Sequence, residues 1–186
     1  MPFYINCEKY TQSNWWNIYK QAQRHIKTFP NDFLPHNYTK SLYLDGDRIL
    51  TKKIYKKDID KYLEKHDIVC FENPWRRGLN GTIKNEAKEI LKNRFEIQEN
   101  IDKIFDLIKQ DGFKDDIGST ETSILIRNHE NLKEFSKDWK DKIYICIRDQ
   151  MSFDYLLWKH KRYKIRERPT KKMGHSNTKG RQHNIK

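Results

Sequence analysis

Ser41-Leu-Tyr-Leu-Asp-Gly-Asp-Arg-Ile-Leu50 is an apolar run that ends in two carboxylates separated by a glycine. Leu42, Tyr43 and Leu44 in succession read as a strand buried on both faces. Asp45 and Asp47 then stand at its C-terminal end, where open α/β sheets bind their ligands. Two strand residues on one face lie about 6.6–6.8 Å apart, which is wide for two carboxylates sharing one ion. Gly46 relaxes the backbone between them, so the second can turn inward or bind through water. Mg²⁺ or Mn²⁺, which take few carboxylates and keep positions for phosphate oxygens, would suit such a pair. Asp-Gly is also among the commonest turn dipeptides, and on this stretch alone the turn is the better reading. The decision rests with the rest of the chain.

Working outward, Asp67–Phe71 and Thr122–Arg127 are two further apolar runs of strand length. Helical spacing appears over Lys20–Phe29, over Asp58–Lys65, over residues 82–110 with a break near Asn93–Phe95, and over Asn131–Lys140. Asp149 stands where it would N-cap a helix from Gln150 to Trp158, which is apolar nearly all round and should be buried. Phe3–Asn6, Trp15–Tyr19 and Tyr144–Ile147 read as short extended pieces, and Pro30 and Pro35 enforce a loop before Ser41. Strands alternating with helices predict an α/β fold of the αβα sandwich type. Residues 1–165 form the expected domain, followed by a disordered basic tail over 166–186.

Composition narrows the function classes. The chain has 186 residues, enough for one domain with a real core, and 13% aromatic residues to build it. Its three cysteines, Cys7, Cys70 and Cys146, fit neither a disulfide framework nor a metal-site spacing, which points to thiols in a reducing compartment. No apolar run reaches membrane-spanning length and the N-terminus has no signal-peptide pattern, so a cytoplasmic protein without a transmembrane segment is expected. The net charge is +12, but residues 159–186 carry eleven basic side chains against Glu167 alone. The body is close to neutral. Only the tail is built to meet an acidic surface or nucleic acid.

The same chain resembles a glycosyltransferase-like family found in polysaccharide-synthesis proteins. Ala22-Gln-Arg-His-Ile-Lys27 with Phe33-Leu-Pro-His36 is similar to that family's "A-R-x-x-K…P-x-x-L" segment, and Ser41–Asp47 to its strand ending in Asp-Gly. Asp67–Phe71, Pro74, Arg76 or Arg77 and Glu86-Ala87 resemble a strand followed by "H-P-x-R…E-A", with Asn73 in place of the His. Thr120-Glu-Thr-Ser-Ile-Leu-Ile-Arg127, Trp139, and Arg148-Asp-Gln-Met-Ser-Phe-Asp-Tyr155 with Trp158-Lys159 resemble its strongest signature.

The resemblance covers residues 22–159 and implies a GT-A-like, Rossmann-like domain that transfers a sugar from a nucleotide-sugar donor to a glycan or other hydroxyl acceptor. It implies Asp45 and Asp47 as Mn²⁺ or Mg²⁺ ligands, with His160 as a late third. It implies Asp149, Gln150 and Glu121 near the reacting sugar, either acid being able to activate an acceptor hydroxyl within hydrogen-bond reach. Arg76, Arg77, Arg127 and Arg148 would clamp phosphate or acceptor oxygens, and Trp158 would lie near the substrate.

Each has an ordinary counterpart: Asp149 a helix cap, Glu121 the partner of a loop arginine, Trp158 core, His160 solvated. The family's opening strand and turn has no counterpart here, since Met1-Pro-Phe-Tyr-Ile-Asn aligns after it. Two other readings therefore stand beside the enzyme: a truncated, inactive relative, and a nucleic-acid binder acting through its tail.

Overall fold

A computed structural model describes residues 15–35, 37–46, 48, 50, 53–72, 81–115, 119–161 and 164–167. In chain order the elements are α1 (Trp15–Thr28), a 3-10 turn (Pro30–Asp32), β1 (Lys40–Leu44), α2 (Lys56–Tyr62), β2 (Ile68–Glu72), α3 (Ile83–Lys92) and α4 (Gln98–Gln110). Then follow β3 (Thr120–Asn128), a second 3-10 turn (Glu130–Leu132), α5 (Lys133–Ile143), α6 (Gln150–Lys159) and β4 (Lys164–Glu167). This is the mixed α/β domain that the alternation of patterns predicts. The break expected near Asn93–Phe95 separates α3 from α4.

Two extended pieces do not form. Trp15–Tyr19 opens α1 as helix, and Tyr144–Ile147 is the turn that closes α5, with the Cys146 amide donating to the Lys142 carbonyl. Phe3–Asn6 and residues 168–186 of the tail lie outside the described residues.

The sheet order is β1-β3-β2-β4. β3 runs antiparallel to both β1 and β2, and β4 runs parallel to β2. β1 and β2 therefore point the same way, and their C-terminal ends share one edge of the sheet with the start of β3. Helices cover both faces. On one face Ile68, Cys70 and Leu125 pack with α3, α4, α5 and α6 around Ile90, Ile104, Trp139 and Phe153. On the other, Val69, Phe71, Ile124 and Ile126 pack with Ile59, Tyr62 and Leu63 at α2.

One irregularity in β3 decides which side chains reach the helices. Ile68 and Val69 pair with Arg127 and Ile126, but Phe71 and Glu72 pair with Glu121 and Thr120. Two steps along β2 thus match five along β3. An odd number of extra residues reverses the in–out alternation, as a bulge does. Leu125 belongs to the helix-covered core and Ile124 and Ile126 to the opposite one, yet Thr122 and Thr120 bond side chains at α6. In an unbroken strand Thr122 would share the face of Ile124. The bulge turns it toward α6.

Candidate functional site

The buried residue Lys27 organises the shared sheet edge. Arg24 and Lys27 are three apart on α1 and so lie on one face of it. The Lys27 ammonium is 2.6 Å from Asp149 Oδ2 and 3.4 Å from Asp45 Oδ1, and it donates to Thr122 Oγ1 at 3.1 Å. Its fourth side is the Tyr43 ring, 5.3 Å to the centroid. The Tyr43 hydroxyl donates to Asp45 Oδ1 at 2.8 Å. Asp149 also accepts from Thr122 Oγ1 at 2.6 Å and pairs with Arg24 at 3.3 Å.

Four elements converge here because the sequence supplies each anchor locally: Lys27 on α1, Asp45 at the end of β1, Thr122 turned inward by the β3 bulge, and Asp149 one residue before α6. The Trp139 indole N–H holds the Asp149 carbonyl at 3.1 Å. Asp154 fixes the start of β3 by accepting from the Thr120 amide at 3.0 Å and from its hydroxyl.

The electrostatics are those of a closed ion network with a cationic margin. Burial alone would push the Asp149 carboxyl up, but Arg24, Lys27 and Arg148 together hold it well below the usual carboxylate range. Burial pulls Lys27 below the ordinary lysine range, with Asp149 and Asp45 opposing that pull. Burial, with Asp45 beside it, holds the Tyr43 phenol up and keeps it a neutral donor. At the margin, Arg148 pairs with buried Glu86 at 3.3 Å and donates to Gln150 Oε1 at 3.4 Å. Lys20 is drawn down by burial and by the neighbouring Arg148 and Arg24 charges. Arg24 and Arg148 each keep a buried Nε with no hydrogen-bond partner among the described residues. Unsatisfied guanidinium donors are costly to bury.

The expected site residues divide. Asp45, Asp149, Gln150 and Arg148 come together around this cluster, Gln150 donating to the Thr120 carbonyl at 3.3 Å. Asp149 occupies the N-cap position of α6 without capping it, because its carboxylate is drawn to Lys27, Thr122 and Arg24. Glu121 takes Arg48 and the Ser123 hydroxyl as partners, which is the ordinary loop-arginine pairing. Arg127 is no open clamp: it is 2% exposed, its guanidinium donates to the Lys27 carbonyl, and it lies over the Tyr43 ring. Burial draws it down to about 10.

Trp158 and His160 sit at the far end of α6. A ten-residue helix is about 15 Å long, so neither reaches Asp149 or Asp45. Trp158 packs on Phe113 and Tyr155, and His160 binds Asp138 at 2.9 Å with its ring against Phe135. His160 is therefore not a ligand of an ion at Asp45. Asp47, Arg76 and Arg77 lie outside the described residues.

Lys27, Arg24, Tyr43, Thr122 and Glu86 are the members that reading for chemistry overlooks. Arg24, Lys27 and Glu86 lie inside the resembling segments, which was the available signal. Tyr43 and Thr122 lie inside such segments too, but strand alternation alone would give Thr122 a different face.

Among the described residues the Asp45 carboxylate takes its side-chain contacts, from Tyr43 and Lys27, on Oδ1, and its side chain stays 23% exposed. Oδ2 is the oxygen that would meet an ion. Among the described residues no three His, Cys, Asp or Glu side chains come together as a metal cage. Mg²⁺ and Mn²⁺ in phosphate sites need only one or two carboxylates, substrate oxygens and water completing the shell. Compared with protein-family models, with curated proteins and with solved structures, the chain matches none.

Proposed function

We propose that the chain is a GT-A-like glycosyltransferase that moves a sugar from a nucleotide-sugar to a glycan or other hydroxyl acceptor at the Asp45 edge of its sheet. The observation that carries this reading is the junction of Asp45 and Asp149 through Lys27. Segments of the resemblance that lie far apart in sequence meet in one ion network. The partly exposed Arg24 and Arg148 side chains, 13% and 25%, add guanidinium donors at this edge of the kind a diphosphate takes.

Asp45 would hold the metal, together with Asp47 as the motif's second carboxylate. When bound, the ion neutralises the charge that develops on the departing nucleotide diphosphate. Lys27 keeps Asp45 Oδ1 and Asp149 fixed against one another, and Tyr43 limits the rotation of the Asp45 carboxylate. Arg24 and Arg148 orient phosphate oxygens from the margin. A carboxylate held as low as Asp149, with both oxygens engaged, is a poor proton acceptor. Asp149 therefore acts as a positioning residue that sets Lys27 and Arg24, and Gln150 is the neighbouring group with an amide to offer a sugar hydroxyl.

Thermal melts with Mn²⁺ and a panel of UDP-, GDP- and other nucleotide-sugars test this. A ligand at a hundred times its Kd stabilises by about 2.7 kcal/mol. For a chain of this size that raises Tm by roughly 5–10 °C. The rise should need both metal and nucleotide-sugar and should vanish in Asp45→Asn. No shift across the panel, or a shift indifferent to Asp45→Asn, refutes the reading.

A further inference from the structure

Lys20, Arg24 and Lys27 follow one another at i, i+4 and i+7 on α1 and so form one stripe of it. Seven residues of α-helix rise about 10 Å, which is the separation of Lys20 from Lys27 along the axis. The stripe runs from the interior outward: Lys27 is buried, Arg24 is 13% exposed, and Lys20 is partly exposed. Its inner end is the junction with Asp45 and Asp149. Its outer end is an aromatic ring. The Lys20 ammonium lies 5.4 Å from the Phe95 centroid and the Arg148 guanidinium 5.6 Å from it.

Phe95 is fixed in that position. Arg94, in the left-handed backbone region at φ 54°, follows α3, and the Phe95 amide donates to the Ile90 carbonyl at 3.0 Å. The next residue ties this turn to the segment before α6, since the Glu96 carboxylate accepts from the Ile147 amide at 2.9 Å. It also accepts from Asn100 Nδ2 at 2.9 Å. The Phe95 side chain so placed is 44% exposed, so the two cations leave part of its ring open.

Charge and shape together select the occupant. The Arg148 and Arg24 charges each act on Lys20 more strongly than Glu96, which opposes them, so the surroundings of that ammonium favour an anion. An inorganic anion would use the cations and leave the ring idle. A neutral apolar ligand would use the ring and leave the cations idle. A nucleoside diphosphate uses both, because its ribose separates a flat base from the phosphates. Every base has a face that stacks on an aromatic ring, and a guanidinium both stacks and binds phosphate.

We propose, on the basis of the transferase reading, that Phe95 is the platform on which the donor's nucleobase stacks, with Lys20 and Arg148 at its rim and the diphosphate lying along the α1 stripe toward Asp45. Phe95 then makes the site select nucleotides over pyrophosphate and sugar phosphates, which carry no base.

The test is isothermal titration calorimetry on the full chain with Mg²⁺, using UDP, GDP and inorganic pyrophosphate. At least one nucleotide should bind. Phe95→Ala should weaken it by about tenfold, the order lost when an aromatic ring under a base is truncated, and Phe95→Tyr should keep it. Pyrophosphate should titrate into both variants as it does into the unsubstituted chain. Phe95 lies at the surface, so both variants should fold, and unchanged thermal melts would show it. Nucleotide affinity indifferent to Phe95→Ala, or an equal loss for nucleotide and pyrophosphate, would overturn the proposal. If nucleotide-sugars still bind Phe95→Ala undiminished and need Asp45, the transferase reading survives without this platform. If neither nucleotides nor nucleotide-sugars bind the unsubstituted chain, both fall.

Discussion

Removing the Lys27 ammonium would leave Asp149 buried without its nearest counter-charge, with Arg24, Thr122 and Arg148 left to meet it. Breaking one partner of a buried ion pair typically costs about 3–5 kcal/mol, because the remaining charge is stranded. Lys27→Met and Asp149→Asn should each destabilise by that order in urea unfolding. The double variant should cost clearly less than their sum, since both charges of the pair leave together. Additive losses would mean that the pair is not coupled. This contact was only half legible. Asp149 stood out one residue before an apolar helix, but position alone reads as a cap. Its partner lies 122 residues earlier, and only the packing of α1 beside α6's start brings the two together.

At the scale of elements, the helix ends are written in the sequence more plainly than the strand faces. α4 closes with Gly112 at φ 74°, its amide donating to the Lys109 carbonyl and that of Phe113 to the Ile108 carbonyl. This is the six-to-one and five-to-two pattern of a Schellman cap, and Phe113 and Ile108 both join the core. α3 closes with the same pattern through Arg94 at φ 54° and Phe95. Only the first has the glycine that the left-handed position favours.

A Cβ at Gly112 would meet nothing within 4 Å, so the Gly112→Ala penalty is conformational alone, about 1 kcal/mol. Arg94→Gly should stabilise by a similar amount. Thermal or urea unfolding of the two variants would show shifts of opposite sign, and equal signs would contradict the cap assignment. The aromatic run Trp15–Tyr19 shows the reverse case. Its β preference is weak and easily outweighed by context, and the helical pattern that follows simply extends back through it.

For the whole molecule, charge is the property that needs no fold. Residues 166–186 carry seven basic side chains against Glu167 alone, while residues 1–158 are nearly balanced. Any binding to nucleic acid or another polyanion should therefore fall steeply with salt and disappear when residues 166–186 are deleted. Retention of salt-sensitive binding after deletion would place a basic face on the body instead.

Composition, periodicity and local capping determined the rest of what could be read in advance: a mixed α/β chain, three strands, the broken helical stretch, and a buried final helix. These follow from residues interacting with near neighbours. Strand pairing sense, the β3 bulge, the closure of Lys27 over Asp45 and Asp149, the burial of Arg127, and the separation of His160 from Asp45 were decided by tertiary structure alone. Each is a contact between segments tens of residues apart. Whether a carboxylate there caps a helix, meets an ion or neutralises a lysine depends on what else is buried beside it.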